Sequence, residues 1–128
     1  MSPTVRIDRQ RALVVTRFEG AVDFDDVMSW LAALPDHPDF QSSDAVVVDM
    51  RAITLKQTRA EKAEELARFM VSSRLSTGRW AVLVTGPIAT ALTVLYQNIA
   101  ATQHPIGVFS TLKAAGEFLG QDLSTDLP

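Results

Sequence analysis

Apolar and polar positions change period several times along this chain, and each change marks an element. Residues 4–8 and 12–18 are rich in β-branched side chains and are joined by Asp8-Arg9-Gln10-Arg11, which predicts an N-terminal antiparallel hairpin. From Asp23 the period becomes helical. Val27, Trp30, Leu31 and Leu34 follow the i, i+3, i+4, i+7 spacing, Asp23, Asp25 and Asp26 crowd the positive end of the helix, and Pro35 stops it. Ala45-Val46-Val47-Val48 shows no alternation, as expected of a strand buried on both faces. The next helix opens at Thr58, where Thr58 and Glu61 have capping-box spacing; Ala63, Leu66, Ala67 and Met70 line its inner side and Gly78 lies in its stop region. Trp80 to Val84 is a second buried strand. Ile88, Ala91, Leu92, Leu95 and Ile99 then repeat at helical spacing between Pro87 and Pro105. A last strand at Ile106 to Phe109 leads into a helix carrying Leu112, Ala115 and Leu119, closed by Gly120.

The order β-β-α-β-α-β-α-β-α predicts an α/β fold. Its five-stranded mixed sheet has the antiparallel hairpin at one edge and parallel strands after it, with four helices; the strand near residues 80–85 is expected to be central. If each strand adds beside the last, right-handed crossovers place every helix on one side of the sheet. The opposite face would then be apolar as well, since Val46, Val47 and Val48 occupy both faces of their strand. A curled sheet, a loop, a partner or a ligand would have to cover it. Residues 1–120 form a single domain in this reading, and residues 121–128 a flexible C-terminal tail.

Composition narrows the function. A chain of 128 residues with 47% hydrophobic content fits one domain with a real core. Having no Cys, it offers neither thiol catalysis, thiolate metal ligation nor disulfides, which suits a reducing compartment, so a cytoplasmic location is expected. Net charge is −3 and the 12 Lys and Arg are scattered, which argues against nucleic acid. The N-terminal residues lack an apolar signal region, and the most apolar helix is interrupted by Thr, Gln and Asn, so no membrane insertion is expected. His37 and His104 each precede Pro in separate loops without metal-spaced partners, and glycine-rich phosphate motifs are absent. No catalytic residue, cofactor-binding residue or metal ligand is assigned, no cofactor is implied, and the chain is not read as an enzyme.

Three segments resemble the SpoIIAA-like, or STAS-like, domain family, including its stand-alone bacterial STAS/SEC14 group. They are VVVDMRAITL at 46–55, WAVLVTGPIATALTVLYQNIA at 80–100 and VFSTLKAAGEFLG at 108–120, the last similar to that group's Phe-x-x-x-x-x-Ala-x-x-Trp-Leu ending with Phe118 at the Trp position. The resemblance covers roughly residues 4–120 and implies the SpoIIAA-like β/α superhelix. Anti-sigma-factor antagonists of this fold are regulated by phosphorylation of a Ser in an Asp-Ser-Ser-Gly motif after the third strand. Here the matching stretch is Gln57-Thr58-Arg59-Ala60, which lacks the Asp and Gly; Thr58 alone could take a phosphate, and its reading as a helix N-cap suffices without a phosphoswitch.

Two further groups of residues are candidate sites. Asp49, Arg51, Thr85, Gly86, Ser110 and Thr111 fall at or just beyond the C-terminal ends of the parallel strands, where open α/β sheets place ligands. The same residue types also serve as ordinary caps, turns and a rim ion pair. The second group lies on the helix after Pro87. Residues 80–112 carry no Asp, Glu, Lys or Arg, and with Ile88, Leu92, Leu95 and Ile99 facing the sheet, the opposite side offers Thr93, Tyr96, Gln97 and Ala100 as a dimer interface. Burial of this helix within one chain is the alternative. The sequence thus reads as a non-catalytic, regulatory STAS-like interaction or ligand-binding module, expected to be a homodimer. A carrier of a small apolar or amphiphilic, lipid-like molecule is the alternative, and an unrecognised enzyme the third possibility.

Overall fold

A computed structural model describes residues 3–56 and 59–128. Its elements are β1 (Thr4–Asp8), β2 (Leu13–Val22), α1 (Phe24–Ala33), β3 (Ala45–Leu55), α2 (Ala60–Ser73), β4 (Trp80–Leu83), α3 (Pro87–Ala100), β5 (Ile106–Phe109) and α4 (Leu112–Leu119). The five strands lie in sequential order, β1-β2-β3-β4-β5. β1 and β2 form the expected antiparallel hairpin, with Thr4 opposite Arg17 and Asp8 opposite Leu13, and each later pair is parallel. The 80–83 strand is interior, between β3 and β5, but the middle of the sheet is β3. That strand runs on to Leu55 and keeps pairing with β2 past an irregularity between Arg17 and Glu19, which the short apolar core of the sequence, Ala45 to Val48, does not reveal.

Local chemistry accounts for the helix boundaries. The Asp23 carboxylate accepts the Asp26 N–H at 2.9 Å while the Asp26 side chain accepts the Asp23 N–H at 3.0 Å, a reciprocal capping box at the start of α1. Pro35 ends the α-helix and leaves one 3-10 turn at Leu34–Asp36. α2 begins later than expected. Its N-cap is Arg59, without a side-chain capping bond, so the Thr58 to Glu61 box is not the observed start; Thr58, as cap or phosphate acceptor, lies outside the described residues.

Period-two alternation in the strands sends side chains to two separate apolar clusters. On one face Val14, Val46, Val48, Trp80 and Val82 meet Trp30 and Leu31 of α1, Leu66 and Met70 of α2, and Leu92 and Ala100 of α3. On the other, Leu13, Val15, Val47, Ala81 and Leu83 meet Ala115 of α4, together with Leu123 and Leu127. The expectation that all helices share one side therefore holds for α1 to α3 and fails for α4. Handedness constrains a helix that connects two parallel strands; among the described residues α4 makes no such connection, and it folds under the sheet. Residues 121–128, expected to be loose, complete that cover. Leu123 and Leu127 are 2% and 7% exposed, and Asp126 is held by Arg11 through two bonds of 2.9 Å and also by Arg6. The apolar second face gave the reason in advance, and the chain covers it with its own end.

Candidate functional site

The six strand-end residues do not converge on one cavity. Asp49 is buried on β3 and fully engaged: its carboxylate takes the Arg51 Nε at 2.9 Å, the Arg51 Nη2 at 3.0 Å and the Arg51 backbone N–H at 3.0 Å, with Arg17 Nη1 at 3.7 Å. Burial works to raise its pKa, yet these hydrogen bonds and the two guanidinium charges hold the carboxyl below its ordinary value. Arg51 also donates to the Pro128 carbonyl at 2.9 Å, so the pair helps to anchor the chain end. Thr111 is the N-cap of α4, accepting the Ala114 N–H at 3.2 Å. Gly86 caps α3 with φ +85°, a backbone conformation that L side chains rarely adopt, and a Cβ built on it would meet nothing within 4 Å. Glycine is there for the turn and not for a close approach. Thr85 and Ser110 are exposed.

An apolar cavity lies elsewhere, at the larger cluster, between the sheet and helices α1, α2 and α3. Its volume is about 80 Å³. Val48, Trp80, Val82 and Val84 form the sheet wall, while Trp30, Leu66, Ala89 and Tyr96 are among the side chains that face it from the helices. No Asp, Glu, Lys, Arg or His lines it, and none of the six strand-end residues does. Its polar groups are few. The Thr93 hydroxyl is spent on the Ala89 carbonyl at 2.7 Å, within its own helix. Burial pushes the Tyr96 hydroxyl above its usual pKa range. The Trp30 Nε1 is buried and has no hydrogen-bond partner among the described residues. Trp80 differs: its Nε1 donates to the Ser76 hydroxyl at 2.7 Å.

This geometry corrects the reading of α3. Thr93, Tyr96, Gln97 and Ala100 were expected on the outer face, yet Ala100 is 0% exposed, Thr93 and Tyr96 line the cavity, and the Gln97 amide donates to the Ile106 carbonyl at 2.7 Å. Ile88, expected to face inward, is 58% exposed, and Val94 is the other large exposed apolar side chain among the described residues. Leu92, Leu95 and Ile99 do pack in the core as expected, so the buried stripe is shifted rather than reversed, taking in Tyr96 and Ala100 from its edge and leaving Ile88 out. Without a charged face, nothing in its sequence fixes which apolar side looks inward.

His104 is also more than a loop residue. It is 2% exposed and packs against Trp80 with ring centroids 5.2 Å apart and planes tilted by 56°, its Nδ1 lies 3.2 Å from the Gly78 carbonyl, and its Nε2 has no partner among the described residues. Burial lowers its pKa against the opposing effect of the backbone hydrogen bonds. Among the described residues no group of three His, Cys, Asp or Glu side chains is arranged to hold a metal ion, and no helix is long and apolar enough to cross a membrane.

No protein-family model matches the sequence, and no curated protein matches it. Among solved structures, the chain is similar to an uncharacterized protein of the DUF3478 family with a SpoIIAA-like fold from Shewanella loihica PV-4. That likeness has a TM-score of 0.59 at 14% identity and covers 92% of this chain and 94% of the other. At that identity the likeness carries the architecture and nothing of the chemistry. The sequential mixed sheet with α1 to α3 on one face and α4 on the other is a SpoIIAA-like fold.

Proposed function

We propose that the protein is a non-catalytic SpoIIAA-like ligand-binding module, regulatory in role, that takes a small apolar molecule into the cavity between the sheet and helices α1 to α3. The cavity's uncharged, almost wholly apolar wall carries this reading. Dry apolar cavities bind apolar molecules, whereas water needs two or more polar partners to stay. The volume of about 80 Å³ sets a limit. An engineered cavity of about 150 Å³ takes benzene, so a lipid-like chain would enter here only if α2 or α3 parted from the sheet. A small ligand is therefore favoured over the lipid carrier.

Self-association is a second reading, supported by a different surface from the one first expected. Ile88 and Val94 are the large hydrophobic side chains exposed on the described residues, and both lie on α3. Native mass spectrometry of freshly purified protein addresses both readings: an adduct on the single-chain mass supports the bound molecule, and a doubled mass that returns to single in Val94→Glu supports association. A bare single-chain mass, together with no uptake of added xenon by the cavity, refutes both.

A further inference from the structure

One polar side chain on the cavity wall is both unspent and within reach of a guest. The others are accounted for. Trp80 Nε1 donates to the Ser76 hydroxyl and the Thr93 hydroxyl to the Ala89 carbonyl, each at 2.7 Å, while Trp30 Nε1 is sealed among protein atoms. Tyr96 differs from all three. It lines the cavity and packs against the core, its hydroxyl has no hydrogen-bond partner among the described residues, and that hydroxyl is not one of the polar atoms closed off inside the protein. The residue is half-buried, yet burial drives its pKa upward with no hydrogen bond or charge acting beside it, so the hydroxyl stands in desolvated, apolar surroundings. An open, unpaired hydroxyl so placed borders the empty volume itself.

That hydroxyl discriminates among guests. A pure hydrocarbon filling the cavity would strip it of water and leave it unpaired, whereas a guest with an oxygen at that end would satisfy it. A carboxylate or an amine would find no counter-charge on the wall. Resting on the cavity reading given above, we propose that Tyr96 sets the ligand class: a small neutral alcohol or ketone, its oxygen hydrogen-bonded to the Tyr96 hydroxyl and its hydrocarbon part packed against Val82, Leu66 and Leu92.

The chain contains 1 Tyr, so ring-labelled tyrosine gives NMR signals from Tyr96 alone. The full-length protein and Tyr96→Phe are titrated with acetone, 2-propanol, isobutene and acetate, probes of nearly one shape that differ in their polar atoms. Acetone and 2-propanol are expected to move the Tyr96 ring signal of the wild type, and acetate should not bind. The ratio of acetone to isobutene affinity should fall about five- to tenfold in Tyr96→Phe, as the loss of one net hydrogen bond implies, and the 2-propanol ratio likewise. A fall for only one of the two oxygenated probes still places the oxygen on Tyr96 and selects between alcohol and ketone. Ratios unchanged by Tyr96→Phe, a wild-type ring signal that no oxygenated probe moves, or acetate binding as well as acetone would overturn the proposed ligand class while leaving the apolar cavity reading intact. If no probe, isobutene included, shifts the methyl resonances of Val82 and Leu92, the cavity reading itself fails.

Discussion

The two faces of the sheet are both apolar, but they are closed by different means. Under one face, α4 and residues 121–128 are drawn tight by charge: Asp126 sits between Arg6 and Arg11, Arg51 reaches the Pro128 carbonyl, and Leu123 and Leu127 fill the space beneath. Over the other face, helices α1 to α3 pack chiefly through apolar side chains, with the Gln97 amide tying α3 to the Ile106 carbonyl, and a cavity remains between them and the sheet. The first arrangement is oriented mainly by ion pairs, the second mainly by shape. Closure by shape is where a second molecule can be accommodated, because displacing it breaks no ion pair.

Substitutions can break or sharpen this contrast. The largest effect is expected from Leu123→Ala. Emptying a fully buried position on the closed face should cost about 3 kcal/mol in denaturant unfolding, and a loss below about 1 kcal/mol would show that the chain end is only loosely attached. Next comes a matched pair. Ala115→Leu, at a fully buried position between α4 and the sheet, should cost about 2 kcal/mol through overpacking, whereas Ala63→Leu, on the cavity wall, should change stability by less than about 1 kcal/mol. Equal costs at both alanines would mean that the two faces are packed alike.

Asp126→Asn should follow, at about 1.5 kcal/mol, for the loss of charge-assisted hydrogen bonds to Arg11 and Arg6. Those bonds, that from Arg11 first, hold the Asp126 carboxyl below its ordinary pKa of 3.8. Its contribution is therefore complete above that value and is lost as pH falls through the lower folded value. Acid titration of the wild type and of Asp126→Asn should show the variant with the shallower loss.

The smallest effect belongs to His104. Burial lowers its pKa from 6.5, so the unfolded chain takes up the proton first, and stability should decline as pH falls below about 6.5 until the folded protein is protonated as well. Unfolding of wild type and His104→Gln at pH 8 and pH 5.5 checks this. A wild type with no greater pH dependence than the variant would mean that the imidazole is not kept neutral by the fold.

Much of the architecture was readable in the residues, because each element carries its own signal. Asp23 and Asp26 announce the start of α1, Pro35 its end, and the unbroken valines of β3 a strand with two covered faces. The orientation of α3 was readable only in part: Leu92, Leu95 and Ile99 pack inward as expected, while Ile88 does not and Ala100 does. Its fourteen residues from Pro87 to Ala100 include no charge, so several rotations bury comparable apolar area, and only the shape of the sheet and of α2 selects one. The chain end misled for a related reason: Leu123-Ser124-Thr125-Asp126-Leu127 has neither helical nor strand period, and its two leucines and one carboxylate acquire meaning only opposite Val47, Leu83 and the hairpin arginines. The cavity has no sequence signal at all, since it is a shortfall in volume shared by residues from six elements.

The pairing of Arg6 with Asp126 spans 120 positions, and that of Arg11 with Asp126 spans 115. Every other step of the sheet joins strands that are neighbours in the sequence, so a nascent chain can add β2, β3, β4 and β5 in the order in which they leave the ribosome. Leu13, Val15 and Val47 nevertheless stay wet on one side throughout that process, waiting for Leu123 and Leu127. β2 and β3 are thus laid down early and covered late, and during synthesis the growing sheet presents a hydrophobic surface that a chaperone, or a second nascent chain, can reach before Leu123 and Leu127 do.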